Sequence, residues 1–421
     1  MNWSGFYKLD WPERIEKLRV AGLLDDQQVA YMQAHYDAIG DQQVENYLYN
    51  FGVPTGILTD ILIDGHHYTV PMTTEEPSVI AAANNGARMM NTGTGVQTNF
   101  PERLVRGQIV VTDLENPTVF IDDVKEQTQA ILKLANDAYP SMLARGAGAK
   151  KLEFESLDAT TVAVDLLVDP SEAMGANVVN TMAEAVAKSF SQRGYHVLMG
   201  ILSNYATEAV ISAKVAIPVD QLKTKQGQAG LSVAKAIAQA SQIENLSPYR
   251  AVTANKGIMN GVEAVVLASG NDTRAINASM HAYASAHGQY RGLANWQLDS
   301  ENTQLIGQIS FPIMVGVVGG SIGIVPAVKI NQALMDNPTA KQLSAIVAGV
   351  ALAQNLAALR ALVSTGIQAG HMSLQAKSLA LQVGAELDEV PKLVDALQTA
   401  DQMNQQTAKA LLDQIRNEKD K

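Results

Sequence analysis

QIVVTDLENPTVFIDDVKEQTQAILKLANDAYP (Gln108–Pro140), KLEFESLDATTVAVDLLV (Lys151–Val168) and SEAMGANVVNTMAEAVAKSFSQRGYHVLMGIL (Ser171–Leu202) carry the pattern on which the fold turns. Ile109-Val110-Val111 is a run of β-branched residues and predicts a strand. Val124 to Ala138 repeats apolar residues at three- and four-residue spacing, which predicts an amphipathic helix. Leu152 to Leu157 and Thr161 to Val168 predict two strands separated by Asp158-Ala159. Ala173 to Ser191 predicts a second helix and Tyr195 to Leu202 a further strand. The order β-α-β-β-α-β is the split βαβ pattern of ferredoxin-like domains. It occupies residues 108–219 between helical regions, as an inserted domain would.

Upstream, Trp11 to Tyr49 reads as helical. Ile61-Leu62-Ile63 and Tyr68-Thr69-Val70 flank Asp64-Gly65, a hairpin signal, with His66-His67 just past the turn. Glu75-Glu76-Pro77-Ser78 then leads into Val79-Ile80-Ala81, a helix start with acids and proline ahead of the apolar run. Downstream, helices are expected over Leu231–Gln242, Thr273–His287 and Ala340–Thr365. Three short helical runs follow in Ser373–Glu418, broken near Gly384 and Ala400.

A chain of 421 residues exceeds one ordinary core, so two or three folding units are expected. Its 47% hydrophobic and 17% charged residues are globular proportions. The formal net charge of -11 excludes the broad basic surface that nucleic-acid recognition needs, although a few local cations could still hold an anionic ligand. With no cysteine, disulfides, thiolate metal sites and thiol nucleophiles are excluded. Met1–Asp10 lacks signal-peptide order, and the glycine-rich apolar stretch Phe311–Val328 suits a buried loop or strand better than a membrane span. A soluble, cytoplasmic protein is expected, with no membrane partner.

General-purpose motifs are missing. Gly146-Ala147-Gly148-Ala149 lacks the third glycine and acidic partner of a dinucleotide fingerprint. His281 and His287 are six apart and fall on different helix faces, and no metal site is expected. What remains is a set of polar residues beside glycines and other small residues: Glu76, Lys256, Asp272 and His371. Taken singly, acids before helices are caps and a lysine beside glycine is a loop charge.

Taken together they say more. Glu75-Glu76-Pro77-Ser78-Val79, Ala173-Met174-Gly175-Ala176-Asn177, Leu202-Ser203-Asn204, Asn255-Lys256-Gly257-Ile258-Met259-Asn260-Gly261, Gly270-Asn271-Asp272-Thr273-Arg274 and Gly370-His371-Met372 resemble, in order and spacing, the signatures of class II (bacterial-type) hydroxymethylglutaryl-CoA (HMG-CoA) reductases. The resemblance implies an α+β protein with a large, mostly helical CoA-binding and dimerisation domain (1–107 and 220–370). Into it is inserted a ferredoxin-like nicotinamide cofactor domain (108–219), and a C-terminal helical flap (371–421) follows. It implies reduction of HMG-CoA to mevalonate and free CoA by two hydride transfers, or the reverse. The cofactor would be NADPH, with NADH left open, and no metal is implied. A homodimer with shared active sites is implied, with larger oligomers left open.

The implied chemistry assigns roles. Lys256 would stabilise the alkoxide that each hydride creates, with Asp272 holding its ammonium. Glu76 would give the aldehyde oxygen its proton, and His371 would protonate the departing CoA thiolate. A helix start and Lys256 would both lower the pKa of Glu76, whereas the acid role needs it raised by burial or by Asp272. Ser78, Asn204, Arg250, Asn260 and Asn271 would line the substrate site, Arg250 facing the terminal carboxylate. Glu172, Ala173, Met174, Gly175, Ala176 and Asn177 would open the helix beside the cofactor pyrophosphate. Tyr139 falls where NADH-preferring relatives carry aspartate, with Asp137 an alternative, and Lys150 or Lys151 could favour a 2′-phosphate. The chain also departs from the family: Tyr47-Leu48-Tyr49-Asn50 replaces an apolar-apolar-glycine pattern at the dimer contact, Glu172 replaces aspartate, and Gly93-Thr94-Gly95-Val96 replaces a paired-glycine-phenylalanine segment.

Overall fold

The computed structural model describes residues 3–224, 226–364 and 376–419, so His371 lies outside the described residues. Helix and strand are mixed, in agreement with the expected class. The helical reading of Trp11–Tyr49 resolves into α1 (Trp11–Val20), α2 (Asp26–Ala34) and α3 (Ala38–Gln43), each capped by the aspartate that precedes it. β1 (Thr55–Ile63) and β2 (His66–Thr73) form the expected hairpin, closed by Ile63 opposite His66. Its two turn residues, Asp64 at φ 51 and Gly65 at φ 82, are both left-handed, as a two-residue hairpin turn requires. His66 and His67 therefore begin a strand, and His67 Nδ1 lies 2.7 Å from Asp60 Oδ1 across the hairpin. α4 (Val79–Met90) starts where Pro77-Ser78 predicts.

A four-stranded sheet fills the middle of the chain, in the order β5 (Gly148–Ser156), β6 (Val162–Asp169), β4 (Val105–Thr112), β7 (His196–Leu202). All three pairings are antiparallel, and β6 lies between β4 and β5. Between β4 and β5 the expected single helix is two: α5 (Pro117–Glu126) and α6 (Thr128–Ala138), followed by the short α7 (Pro140–Leu143). Asn116-Pro117 starts the first, with the Asn116 side chain accepting from Thr118 and Val119 N–H. α8 (Ala176–Gln192) packs on β4 and β7 and against α6, burying Val179, Met182, Val186 and Phe190. The polar side of the sheet is tied by Arg106, which donates to Asp165, Glu153 and Glu208; Asp165 is only 2% exposed, so its charge needs that partner.

A second sheet was not foreseen in the sequence. β3 (Gln97–Asn99), β8 (Val210–Pro218), β10 (Gln304–Pro312) and β9 (Ala294–Leu298) pair antiparallel in that order, β8 and β10 over nine residues each. β8 therefore pairs outside the sheet of β4–β7, and Phe311–Val328 runs from the end of β10 at Pro312 largely through loop to the helix that begins at Pro326. Around this sheet lie α9 (Gly230–Leu246), α10 (Pro248–Ala268), α11 (Thr273–Ala284), α12 (Pro326–Leu334) and α13 (Ala340–Val363). α13 is long and apolar enough to cross a membrane, yet nearly every side chain from Leu343 to Ala357 is buried in the main core. It packs against α4 and α10, and at Gly86 the approach is so close that a Cβ would sit 2.0 Å from the Ala353 carbonyl oxygen. Near the C-terminus, residues 376–382 are helical, and α14 (Val390–Thr399) and α15 (Gln405–Lys419) follow, the breaks falling at Gly384 and Ala400 as expected. Ala380, Leu393, Leu397, Ala408 and Leu412 form a separate small core there.

Candidate active site

Beside the N-terminus of α8 lies a cleft of about 430 Å³. One wall is the loop that opens α8, Ala173 to Asn177, with Tyr139 beyond it. The other is Gly270-Asn271-Asp272, Arg274 and the chain from Val318 to Ile322. Gly175 is the N-cap of α8 at φ 110, and no side chain caps the helix. A Cβ there would meet Pro170 Cβ at 2.9 Å and Val105 Cγ2 at 3.0 Å, so both φ and packing demand glycine. The first-turn N–H groups of α8 thus open towards the cleft with no side-chain acceptor, an arrangement that receives an anion.

Six of the seven expected cofactor residues line this cleft: Tyr139, Ala173, Met174, Gly175, Ala176 and Asn177. Glu172 is turned to another task. Its carboxylate accepts from Ala340 N–H at 2.6 Å and caps α13, while its carbonyl accepts from Val317 N–H. Asp137 is held by Lys133 Nζ at 2.5 Å on the surface of α6. Lys150 Nζ donates to the Gly146 carbonyl at 2.8 Å, and Lys151 pairs with Glu102.

Asn271 and Asp272 reach the same cleft from the loop before α11. The Asn271 amide clamps Gly316, accepting from its N–H at 2.7 Å and donating to its carbonyl at 3.0 Å. Asp272 caps α11 through Arg274 and Ala275 N–H and is gripped by the Arg274 guanidinium at 3.1 Å. Arg274 and those N–H groups hold its carboxyl below the usual carboxylate range. The expected Lys256–Asp272 contact is not formed among the described residues; the Asp272 carboxylate is instead paired with Arg274, two residues away. Asn204 lines a small adjoining pocket with Met174, Ala275 and Ile276.

The remaining candidates stand just before α4 and on α10. Glu76 is half-buried, and its carboxylate accepts from Ser78 Oγ at 3.0 Å. Lys256 and Asn260 lie mid-way along the 21-residue α10, a correction to the loop-charge reading. Glycines at 257 and 261 mislead because Gly261 serves close packing against Val350 and Gln354 of α13. Lys256 and Asn260 are one turn apart on one face, and Lys256 is exposed. Arg250, in the first turn of α10, lies near the buried Glu244, whose carboxyl is pushed up to about 7 by burial, against the pull of Arg250 and a hydrogen bond from Asn355.

Two further residues shape the cleft without having been marked in the sequence. Arg274 was inside a quoted motif, and its spacing from Asp272 across a helix start is a readable cue. Arg103 is buried and donates to the Ser171, Ala173 and Val315 carbonyls; nothing in Pro101-Glu102-Arg103 announces it. Among the described residues no group of three or more His, Asp or Glu could hold a metal ion.

The comparisons with known proteins agree with one another. The sequence profile of the family described as hydroxymethylglutaryl-coenzyme A reductase matches residues 11–376. A 3-hydroxy-3-methylglutaryl-coenzyme A reductase of Archaeoglobus fulgidus is 40% identical over 420 residues, covering 98% of this chain and 94% of the relative. A probable reductase of the same description from Borreliella burgdorferi is 33% identical, over 80% of this chain and 77% of its own. Among solved structures, the Streptococcus pneumoniae enzyme matches with a TM-score of 0.76 and 41% identity, covering 99% of this chain and all of that one. A second Streptococcus pneumoniae structure, described as class II and bound to NADPH in open conformations, has the same TM-score and identity over 97% of this chain and all of its own. These matches make the chain an oxidoreductase. It belongs to the hydroxymethylglutaryl-coenzyme A reductase family.

Proposed function

We propose that the chain reduces (S)-HMG-CoA to mevalonate and free CoA, working as a soluble homodimer with a reduced nicotinamide dinucleotide, NADPH foremost. The observation that carries the cofactor part is the uncapped N-terminus of α8 opening on a cleft of about 430 Å³. A dinucleotide pyrophosphate fits such an N-terminus, and the glycine at φ 110 leaves the backbone bare at the approach. The relative bound to NADPH supports the same choice. Tyr139 lies in the cleft while Asp137 is engaged by Lys133, so the position facing the ligand lacks a carboxylate that would repel a 2′-phosphate.

The order β5-β6-β4-β7 supports the inserted ferredoxin-like unit within 108–219, although β4 begins at Val105 and β8 pairs with the other sheet. Residues 1–107 with 220–370 would form the substrate and dimerisation domain, and 371–421 the flap. Burial of α13 in the main core supports a soluble protein.

When bound, a reduced nicotinamide would supply one hydride, and a second reduced cofactor, exchanged for the oxidised one, would supply the other. Lys256 would lie against the oxygen that gains negative charge at each transfer, a fixed donor worth about 2.7–4 kcal/mol in comparable sites. Glu76 would hold the proton that the aldehyde oxygen receives, with Ser78 orienting its carboxylate. Arg250 presents a planar, permanently charged fork for the terminal carboxylate. Asp272 sits beside the cofactor wall, and Arg274 keeps it ionised. His371 would protonate the leaving thiolate. Cofactor oxidation followed spectrophotometrically with HMG-CoA, NADPH and NADH in turn tests the proposal. NADPH should be at least as effective as NADH by kcat/KM, and a tenfold advantage for NADH, about 1.4 kcal/mol, would reverse the cofactor choice.

A further inference from the structure

We infer that Arg103 is a positioning residue for the cofactor: it locks the loop that opens α8 to the opposite wall of the cleft and so sets where the dinucleotide pyrophosphate is received. The inference rests on the cofactor reading above and deepens it. Arg103 lies between β3 and β4, in neither sheet, and is 7% exposed. Its guanidinium donates to three main-chain carbonyls, Ser171 and Ala173 (2.7 Å) on one side and Val315 on the other. The first two belong to the turn between β6 and α8. The third begins the segment that continues through Val318 into the far wall of the cleft.

Three converging carbonyls repel one another unless a cation with several fixed donors sits among them, and arginine alone offers a planar fork of five. The turn itself is held away from its relaxed shape, since Ser171 adopts φ 53 without being glycine. Contacts on either side of Arg103 repeat the join: Val317 N–H donates to the Glu172 carbonyl at 2.9 Å, and Asn271 clamps Gly316. Gly316 and Met174 are so close that a Cβ on the glycine would sit 2.4 Å from the Met174 nitrogen. The cation therefore stands where the two walls meet, behind the residues that line the cleft. Burial draws its guanidinium down to about 10, against the pull of Glu172 and Asp169, so it stays charged at neutral pH. A lysine in its place starts lower, and the same burial brings it towards neutrality.

The test uses the full-length enzyme as wild type, Arg103→Lys and Arg103→Ala, measuring the NADPH dissociation constant and the KM for HMG-CoA. Arg103→Lys should weaken NADPH about tenfold or more while leaving the KM for HMG-CoA within about twofold. Its NADPH affinity should fall further as pH rises into the alkaline range, ahead of any fall in the wild type. Added guanidinium ion should restore part of the affinity lost in Arg103→Ala; if that variant proves insoluble, the lysine variant and its pH profile decide alone. NADPH affinity within about twofold of wild type in Arg103→Lys, or parallel losses for NADPH and HMG-CoA, overturns the inference. Failure of the wild type to bind NADPH removes the cofactor reading, and the inference with it.

Discussion

A lysine in the middle of a helix costs the fold little and leaves its ammonium where the helix points it, so Lys256 separates chemistry from stability cleanly. Lys256→Ala should lower kcat with HMG-CoA by about 10²–10³ while shifting unfolding free energy by less than about 0.5 kcal/mol, since alanine is the better helix former at an exposed position. More than a tenth of wild-type turnover in the purified variant would end the oxyanion assignment. Glu244 makes the opposite case, being buried and half-titrated near neutrality. A carboxyl whose folded value is raised to about 7 favours the fold when protonated; that stability is complete below its unfolded value and is lost as pH rises through about 7. Glu244→Gln should therefore match wild type near pH 5 and exceed it near pH 8 by up to roughly 3 kcal/mol. Urea unfolding at the two pH values checks this, and an equal difference at both would refute it. In the sequence, Glu76 and Asp272 were legible because motif and helix start coincide. Glu244 and Arg103 were not, because burial and convergence on distant carbonyls leave no local mark.

Among the elements, those with a strong period and a clear stop were legible: the Asp64-Gly65 hairpin, the strands of the β4–β7 sheet, α8 and the breaks at Gly384 and Ala400. β8, β9 and β10 escaped because Ala, Ser, Gly and Gln dilute the alternation of Val210–Pro218 and Gln304–Pro312, whose burial nonetheless alternates in the fold. α10 escaped because glycine reads as a breaker wherever the partner helix is unknown. The N-terminus of α8 is the element on which the cofactor proposal rests most directly. Gly175→Ala should impose strain of about 1–3 kcal/mol at a left-handed position and push Pro170 and Val105 away. The KM for NADPH should rise about tenfold or more while the KM for HMG-CoA holds. Equal KM rises for both substrates would mean that the turn supports the whole molecule and not the cofactor wall alone.

The whole molecule presents a surface that a single chain leaves unexplained. Ile243 and Leu246 at the end of α9 are 52% and 68% exposed, and Tyr249 and Val252 at the start of α10 are 89% and 53% exposed. At 100° per residue, Tyr249, Val252, Lys256 and Asn260 form one stripe along α10. The apolar residues and the proposed oxyanion donor thus share a face, and whatever covers the first also covers the second. An oxyanion donor in open water is worth little, because its field is screened; excluding solvent restores it. A second copy of the chain seated on this stripe would bury the apolar patch and dry Lys256 in one event, which is why a shared active site and a dimer belong together in the proposal. Leu246→Glu combined with Tyr249→Asp should leave each chain folded, since neither side chain is part of a core. The variant should then sediment at the 45.0 kDa of one chain, with wild type at twice that mass. Its turnover should fall together with its dimer fraction and recover as protein concentration is raised. A monomeric variant that kept full turnover would show that Lys256 works without a partner, and a dimeric one would move the interface elsewhere.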